Sequence, residues 1–253
     1  MSGTRSTLKT VPATERPLLL VAAHGERGGA GDNARLASIA AKAGSLLPGW
    51  DVRHGVLSGS PSIEEALADA DGRAVHIWPF FMCRGYFTDI VLLGRLEALE
   101  LEHIMLDVLG ETRAFAELAL KKILEDEVFL SPDVLVIAHG STKGTQSRLA
   151  AEQFAARLTT AGSLANVSCA FLEEPPFADD AIAALPEGSV VVSLFAGDGL
   201  HGGHDLDRIL AASGRGDLKV VTPAADTEAV ARIVAGAAFV PSDAPILTHG
   251  TGG

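Results

Sequence analysis

The chain has 253 residues, of which 47% are hydrophobic, and it carries a formal net charge of −12. This length and composition predict a folded protein with one large core or two smaller ones. The negative charge argues against a nucleic acid or an anionic membrane as the partner, because phosphate binding requires clustered basic side chains. The two cysteines, Cys83 and Cys169, form no Cys-x-x-Cys pair, so we expect a reducing compartment and no thiolate metal site.

Residues 1–16 are polar, and we expect them to form a disordered N-terminal segment. They lack the apolar stretch of a secretory signal, and no later apolar run reaches the length of a membrane span. The sequence therefore predicts a cytoplasmic protein that does not insert into a membrane.

The two halves of the chain repeat one pattern. LLLVAAHGERGG aligns with VLVIAHGSTKG, which pairs His24 with His139 at a spacing of 115 residues. VLSGSPSIEEAL aligns with FLEEPPFADDAI at the same spacing, and PFFMCRG aligns with SLFAGDG at a spacing of 114. Matches that keep their order at a nearly constant spacing indicate two copies of one unit. We place the first repeat at 17–130, the second at 131–240 and a C-terminal tail at 241–253.

Each copy alternates short apolar runs with longer segments of helical periodicity. In the second repeat, the apolar runs that indicate buried strands are 134–138, 167–172, 190–195 and 218–222. The segments that indicate helices are 147–158, 178–185, 204–212 and 227–239. Because strand and helix alternate, we expect parallel strands joined by right-handed crossovers. The predicted fold class is α/β, with two similar domains that each contain a small parallel sheet flanked by helices.

Reactive side chains follow three consecutive strands of the second repeat. His139 follows the first strand in HGSTKG, and Glu173 and Glu174 follow the second in EEPP. His201 and His204 follow the third in GDGLHGGH. The carboxyl ends of parallel strands share one edge of a sheet, so we expect these side chains to converge. Imidazole and carboxylate groups suit a borderline divalent metal such as cobalt, iron or zinc.

Each of these signals has an alternative interpretation. A histidine at a strand–helix junction is often only a cap or a packed ring, and EEPP alone would be an acidic turn. HGSTKG with Lys143 fits an anion site made by backbone amides at a helix start, although it lacks the P-loop and dinucleotide spacings. The agreement of three loops on one edge favours the metal interpretation.

The strand that ends in AHGS, the FLE after the second strand, and F-x-x-x-G-x-H with an aspartate four residues later resemble the class II tetrapyrrole chelatases. The similarity extends over residues 17–239 and is greatest to the sirohydrochlorin cobaltochelatase and ferrochelatase group, in the long form with two fused repeats. It implies two chelatase-like domains with a cleft between them. It also implies insertion of Co²⁺ or Fe²⁺, as the substrate metal, into a sirohydrochlorin-type tetrapyrrole without ATP or a tightly bound cofactor.

The resemblance carries over to individual residues of the second repeat. His139 and His201 are assigned as metal holders or acceptors of the pyrrole protons. Glu173 is assigned as their charge partner, a further metal ligand and a proton relay. Glu174 and His204 are secondary candidates, since the short turn after FLE does not separate the two glutamates. Asp205 is assigned as a helix cap.

The first repeat departs from this pattern. It keeps His24, but Ser58 stands opposite the glutamate and Phe87 stands opposite the second histidine. We therefore expect one active site, on the second repeat, with the first repeat as the other wall of the cleft. His24 is then a relic, an auxiliary metal contact or a substrate contact.

A sirohydrochlorin-type macrocycle carries many carboxylates, so an acidic protein needs local basic groups to bind it. Arg84 and Lys143 are the candidates for this role, with His24 as a third substrate contact. Surface solubility is the alternative explanation for both basic residues. The fusion of two copies favours a monomer in which an internal pseudo-dimer replaces a subunit contact.

Two other functions fit the sequence. The degenerate first repeat is compatible with a non-catalytic carrier of metal or tetrapyrrole that has the same fold. HGSTKG is compatible with a phosphate- or nucleotide-handling α/β enzyme. Ligand type alone does not separate cobalt from iron or nickel.

Overall fold

The computed structural model describes residues 16–25, 33–125, 131–162, 164–197 and 203–239, with the backbone alone at 203 and 204. In these ranges the chain forms two four-stranded parallel sheets, one in each repeat. The fold class predicted from the sequence is confirmed. The repeat boundaries at 17–130 and 131–240 stay predictions.

The first repeat begins with a strand whose six residues, LLLVAA, are all buried, as expected where helices cover both faces of a sheet. Its strand order is β2-β1-β3-β4. The elements are β1 (Leu18–Ala23), α1 (Ala34–Leu46), β2 (Asp51–Val56), α2 (Ile63–Leu67), β3 (Val75–Pro79), a π-helical segment (Tyr86–Leu92) that continues into α3 (Leu93–Ala98), β4 (His103–Met105), a 3-10 turn (Leu109–Glu111) and α4 (Arg113–Leu124).

The second repeat follows the same plan with strand order β6-β5-β7-β8. The predicted strands and helices appear at their expected places, with ends that differ by at most three residues. The elements are β5 (Asp133–Ala138), α5 (Gln146–Ala161), β6 (Asn166–Phe171), α6 (Ala178–Ala184), β7 (Val190–Ser193), α7 (Gly203–Ser213), β8 (Lys219–Val221), a 3-10 turn (Pro223–Ala225) and α8 (Thr227–Ala237).

The strand register reproduces the spacing that the sequence repeat predicts. Leu18 pairs with Asp51 at the start of β1, and Asp133 pairs with Asn166 at the start of β5. Corresponding residues of these two pairs are again 115 positions apart. The two sheets are therefore copies of one unit in register as well as in element order.

One apolar core joins the two repeats. Helix α1 packs against α8, and α4 packs against α5, so each contact pairs one helix from each repeat. The rings of Phe115 in α4 and Phe154 in α5 are fully buried, with centroids 5.7 Å apart. A separate smaller cluster lies on the outer face of each sheet. The two repeats therefore share one hydrophobic interior.

Ion pairs add to this contact between repeats. Lys42 Nζ of α1 lies 2.9 Å from Glu228 Oε2 of α8. Lys122 Nζ of α4 lies 2.8 Å from Asp226 Oδ2, while Asp226 Oδ1 accepts from the Ala229 amide and so caps the N-terminus of α8. No helix in the described part of the chain is long and apolar enough to cross a bilayer.

Candidate active site at the edge of the second sheet

His139 and Glu173 lie side by side at the carboxyl edge of the second sheet. His139 directly follows β5, and Glu173 lies two residues beyond the end of the neighbouring strand β6. His139 Nδ1 is 3.6 Å from Glu173 Oε2, and the two side chains are 41% and 52% exposed. A basic nitrogen and a carboxylate thus meet at a place that solvent and a ligand can reach.

Gly140 brings the loop after β5 against the loop after β6. Its φ is +74°, and a Cβ at this position would lie 2.8 Å from Phe171 Cβ. Only glycine fits this left-handed and crowded conformation without strain. The turn allows the carbonyl oxygen of His139 to accept from the amides of Leu172, at 3.1 Å, and Glu173, at 3.0 Å. The backbones of the two candidate residues are therefore joined directly.

The two adjacent glutamates have different surroundings. Glu174 Oε2 accepts from Arg148 Nε at 3.0 Å and from Arg148 Nη2 at 2.6 Å, and its side chain is only 15% exposed. The guanidinium of Arg148 also lies over the ring of Phe171, 4.6 Å from its centroid. Glu174 is thus held in the scaffold, whereas Glu173 faces the imidazole.

Backbone amides in HGSTKG already donate within the protein. The Gly140 amide donates to Ser147 Oγ at 3.0 Å, and the Ser141 amide donates to Glu174 Oε1 at 3.1 Å. The Lys143 amide donates to Ser141 Oγ at 3.1 Å. A phosphate would have to displace these partners, so the geometry argues against the anion-site interpretation of this loop.

A pocket of about 180 Å³ lies beside His139. One side belongs to the second repeat and includes Phe195 after β7. The other side is formed by Met82 and Cys83, which follow β3 of the first repeat. The pocket therefore lies between the repeats, and no sequence pattern indicates that Met82 borders it. Its lining residues are Met82, Cys83, Ala138, His139, Ser147, Ala150, Leu194, Phe195 and Ala196.

Cys83 is not poised to act as a thiolate. Burial raises the pKa of its thiol, and the nearby carboxylates of Glu111 and Asp89 raise it further. A thiol with a raised pKa stays protonated near neutral pH, and a protonated thiol is a poor metal ligand.

The first repeat places His24 as the second repeat places His139. Each Nδ1 lies 3.3 Å from the carbonyl oxygen of the following glycine. The ring of His24, however, packs edge-on against Phe87, with centroids 4.6 Å apart and an interplanar angle of 87°. His24 thus contacts an aromatic ring, whereas His139 of the second repeat contacts the carboxylate of Glu173.

The two basic candidates differ in their surroundings. Arg84 lies near two carboxylates, with Nη2 3.5 Å from Asp107 Oδ1 and Nε 3.8 Å from Glu111 Oε2, and its side chain is 44% exposed. Lys143 is exposed in the loop that follows His139. Binding of a substrate carboxylate by Arg84 would therefore compete with its present partners.

The structure does not describe the side chain of either predicted ligand of the third loop. His201 lies outside the described residues, as does the side chain of His204. Helix α7 begins at Gly203, two residues before Asp205, so the assignment of Asp205 as the helix cap is wrong. Asp205 lies in the first turn of the helix instead, where its Oδ1 is 2.8 Å from Arg208 Nη2. Within the described ranges, no three His, Cys, Asp or Glu side chains converge on a metal position.

Comparison with known proteins adds independent information. Residues 133–236 match the family model CbiX. The solved structure of CbiX, the terminal enzyme for biosynthesis of siroheme in denitrifying bacteria, is 29% identical, with 90% of this chain and 100% of that chain covered and a TM-score of 0.74. No curated protein matches the sequence.

Two further solved structures share the fold at low identity. SirB from Bacillus subtilis with Fe³⁺ is 14% identical, with coverage of 88% and 94% and a TM-score of 0.68. The sirohydrochlorin chelatase SirB from Bacillus subtilis subspecies spizizenii, in complex with cobalt, is 13% identical, with coverage of 88% and 93% and a TM-score of 0.66. Residues 133–236 thus match the CbiX family, and 90% of the chain shares the fold of the solved CbiX structure.

Proposed function

We propose that the protein inserts a divalent metal, cobalt or iron, into a sirohydrochlorin-type tetrapyrrole without ATP. The observation that carries this proposal is the His139–Glu173 pair, 3.6 Å apart, next to a pocket bordered by both repeats. The similarity to CbiX, the terminal enzyme for biosynthesis of siroheme, supports this substrate class.

The chemistry requires two proton acceptors and a weakly held metal. Metallation removes two protons from pyrrole nitrogens and replaces water on the metal with those nitrogens. A neutral imidazole accepts a proton or donates its lone pair to a metal, and its reference pKa of about 6.5 suits both tasks near neutral pH. We assign His139 and His201 to these tasks, and Glu173 to charge balance and proton transfer to solvent.

The solvent exposure of His139 and Glu173 suits a site from which the metal has to be transferred to the macrocycle. A closed shell of protein ligands would hold the ion against transfer, whereas a site with open positions lets macrocycle nitrogens replace water. His139 and Glu173 are both about half exposed, so they leave such positions open. The proposal therefore predicts weak binding of the metal before the reaction.

The substrate carboxylates would meet basic groups around the cleft. Lys143 is the stronger candidate because it is exposed in the loop after His139, and Arg84 contributes where it exchanges Asp107 and Glu111 for a substrate carboxylate. His24 completes the proposed substrate contacts on the first repeat. In the first repeat Ser58 stands opposite Glu173, which supports a single active site on the second repeat.

We further propose that the protein works as a cytoplasmic monomer. Two free cysteines and no cysteine pair support a reducing compartment. The packing of α1 on α8 and of α4 on α5 supports an internal pseudo-dimer, since each contact already pairs one helix from each repeat.

The test is an anaerobic absorbance assay with sirohydrochlorin and Co²⁺ or Fe²⁺, from which the uncatalysed rate is subtracted. We expect many turnovers per protein, and we expect His139→Ala to lower kcat/KM about 100-fold or more. Glu187→Gln is a matched control for Glu173→Gln, because Glu187 is an exposed carboxylate in the loop before β7, at the opposite edge of the sheet.

Two other outcomes would contradict the proposal. A spectral change that saturates at one equivalent of protein would indicate a carrier of metal or tetrapyrrole. Full activity in a folded His139→Ala variant would show that the reaction takes place elsewhere.

A further inference from the structure

The first repeat exposes three large apolar side chains within one short segment. Tyr86, Phe87 and Ile90, all in the π-helical segment after β3, are 67%, 44% and 62% exposed. We call these three residues the apolar wall. Large apolar side chains that cluster in water usually mark a binding surface.

The apolar wall begins where the first repeat meets the active-site pocket. Met82 and Cys83, which line the pocket beside His139, precede it by only a few residues. A Cβ placed on Gly85 would lie 4.0 Å from Cβ of Gln146, the first residue of α5 in the second repeat. The segment that carries the apolar wall therefore follows directly on residues that line the pocket.

Aromatic contacts fix the orientation of Phe87. Its ring meets the His24 ring at 87° with centroids 4.6 Å apart, and it meets the Tyr86 ring at 72° with centroids 5.5 Å apart. Such edge-to-face contacts are favourable and restrict the plane of the ring. Phe87 thus presents a fixed apolar surface while 44% of the residue remains exposed.

The size and charge of the surface restrict its occupant. Three side chains are far fewer than the roughly 20–30 residues per side of a stable protein interface. An anionic lipid surface is disfavoured by the net charge of −12 and by Asp89, which is exposed in the same segment. A single flat conjugated ring with carboxylates at its rim matches an apolar surface of this extent, because its face is apolar and its charges lie outside the contact.

We propose that the apolar wall binds the face of the tetrapyrrole, with Phe87 and Tyr86 as direct contacts, and that His24, besides its own proposed substrate contact, positions Phe87. This inference rests on the proposed function, since it takes the substrate to be a planar macrocycle. It gives the first repeat a specific task, which is to hold the ring while the second repeat handles the metal and the protons.

The test is equilibrium binding of metal-free sirohydrochlorin to the full chain, followed by the fluorescence of the macrocycle under anaerobic conditions. Phe87→Leu keeps an apolar side chain but removes the aromatic face, so we expect the Kd to rise about tenfold. Phe87→Tyr keeps the ring and is expected to bind like the unmodified chain. Phe239→Leu is the matched control, because Phe239 is 71% exposed just beyond the end of α8.

The role of His24 is tested in the same titration. His24→Ala removes the edge contact and is expected to weaken binding several-fold. His24→Phe restores an aromatic edge without an imidazole, so recovery of binding in this variant would identify a positioning role. If His24→Phe binds no better than His24→Ala, the positioning role is wrong.

Two results would overturn the inference about the apolar wall. One is a Kd for Phe87→Leu equal to that of the unmodified chain, and the other is no binding of the metal-free macrocycle at all. Because no metal is present, the titration is separate from turnover. If the protein binds the macrocycle through Phe87 but shows no metallation activity, the proposed function is wrong and the binding role of the apolar wall is supported.

Discussion

Arg148 and Glu174 form an ion pair, with Nη2 donating to Oε2 at 2.6 Å, that joins the first turn of α5 to the loop after β6. Arg148 Nη2 also donates to the carbonyl oxygen of Pro175. The pair lies directly beside Glu173, so it fixes the loop from which that carboxylate reaches His139. Neighbouring carboxylates at 173 and 174 thus have different surroundings.

This difference predicts opposite results for the two glutamates. Glu174→Ala should lower the free energy of unfolding by about 1.5–3 kcal/mol, because it leaves the guanidinium of Arg148 with only the more distant carboxylate of Glu152, at 3.8 Å. Glu173→Gln should change stability by less than about 0.5 kcal/mol and should lower metallation by about tenfold or more. Urea unfolding and the metallation assay separate the two effects, and a stable Glu174→Ala variant would show that the ion pair is dispensable.

Gly140 should not tolerate a side chain. An alanine Cβ would lie 2.8 Å from Phe171 Cβ and 2.9 Å from Glu174 Cγ, at a φ of +74°. We expect Gly140→Ala to cost about 2–3 kcal/mol of stability and to displace His139. The matched control is Gly214→Ala, which has a φ of +66° but open space around it and should cost only about 1 kcal/mol. Equal costs in urea unfolding would mean that crowding at Gly140 is unimportant.

The thiol of Cys83 should be slow to react although it lines the pocket. Burial raises its pKa, and burial likewise raises the pKa of Cys169, to about 11. Since the thiolate is the reactive form, alkylation by iodoacetamide should be slow at pH 7 and should accelerate as the pH rises toward the raised pKa values. Cys83→Ser should retain metallation within about twofold, and a larger loss would identify a metal contact that the protonated thiol does not predict.

The pair between Asp226 and Lys122 should make stability depend on pH. The hydrogen bond from Lys122 lowers the pKa of the Asp226 carboxyl below its ordinary value of 3.8, and the hydrogen bond from the Ala229 amide lowers it further. A lowered pKa in the folded state means that the stabilisation is complete above the ordinary value and is lost as the pH falls through the lowered one.

Asp226→Asn isolates this charge, because the amide oxygen still caps α8 but no longer pairs with Lys122. The variant should be about 0.5–1 kcal/mol less stable at pH 7. In urea unfolding, the difference from the unmodified chain should narrow as the pH falls below 3.8. A difference that stays constant with pH would show that the charge of Asp226 does not contribute.

Much of this arrangement could be predicted from the sequence, because it follows from local pattern and strand topology. The apolar runs before His139 and Glu173 predict adjacent parallel strands, and such strands bring their following residues to one edge. Their 3.6 Å approach is consistent with that rule. The roles given to these residues, and to His201, stay predictions.

Other features depend on contacts between distant segments. Nothing local in EEPP indicates which glutamate meets Arg148, which lies 26 residues earlier in the chain. Met82 lines the pocket only because of the way in which the two repeats pack against each other. YFTDIVL is rich in aromatic and β-branched residues, which favour strands, so its π-helical backbone and its exposed aromatic rings were not predictable from the sequence.

The shared core has a consequence for how the two copies can evolve. Since α1 and α4 bury apolar faces against α8 and α5, neither copy can be deleted without leaving those faces in water. A copy with Ser58 and Phe87 opposite Glu173 and His201 of the other must therefore be kept as a structural partner. The loops at its sheet edge, in contrast, are free to change, and a duplicated chain can keep one copy for chemistry while the other acquires a different task.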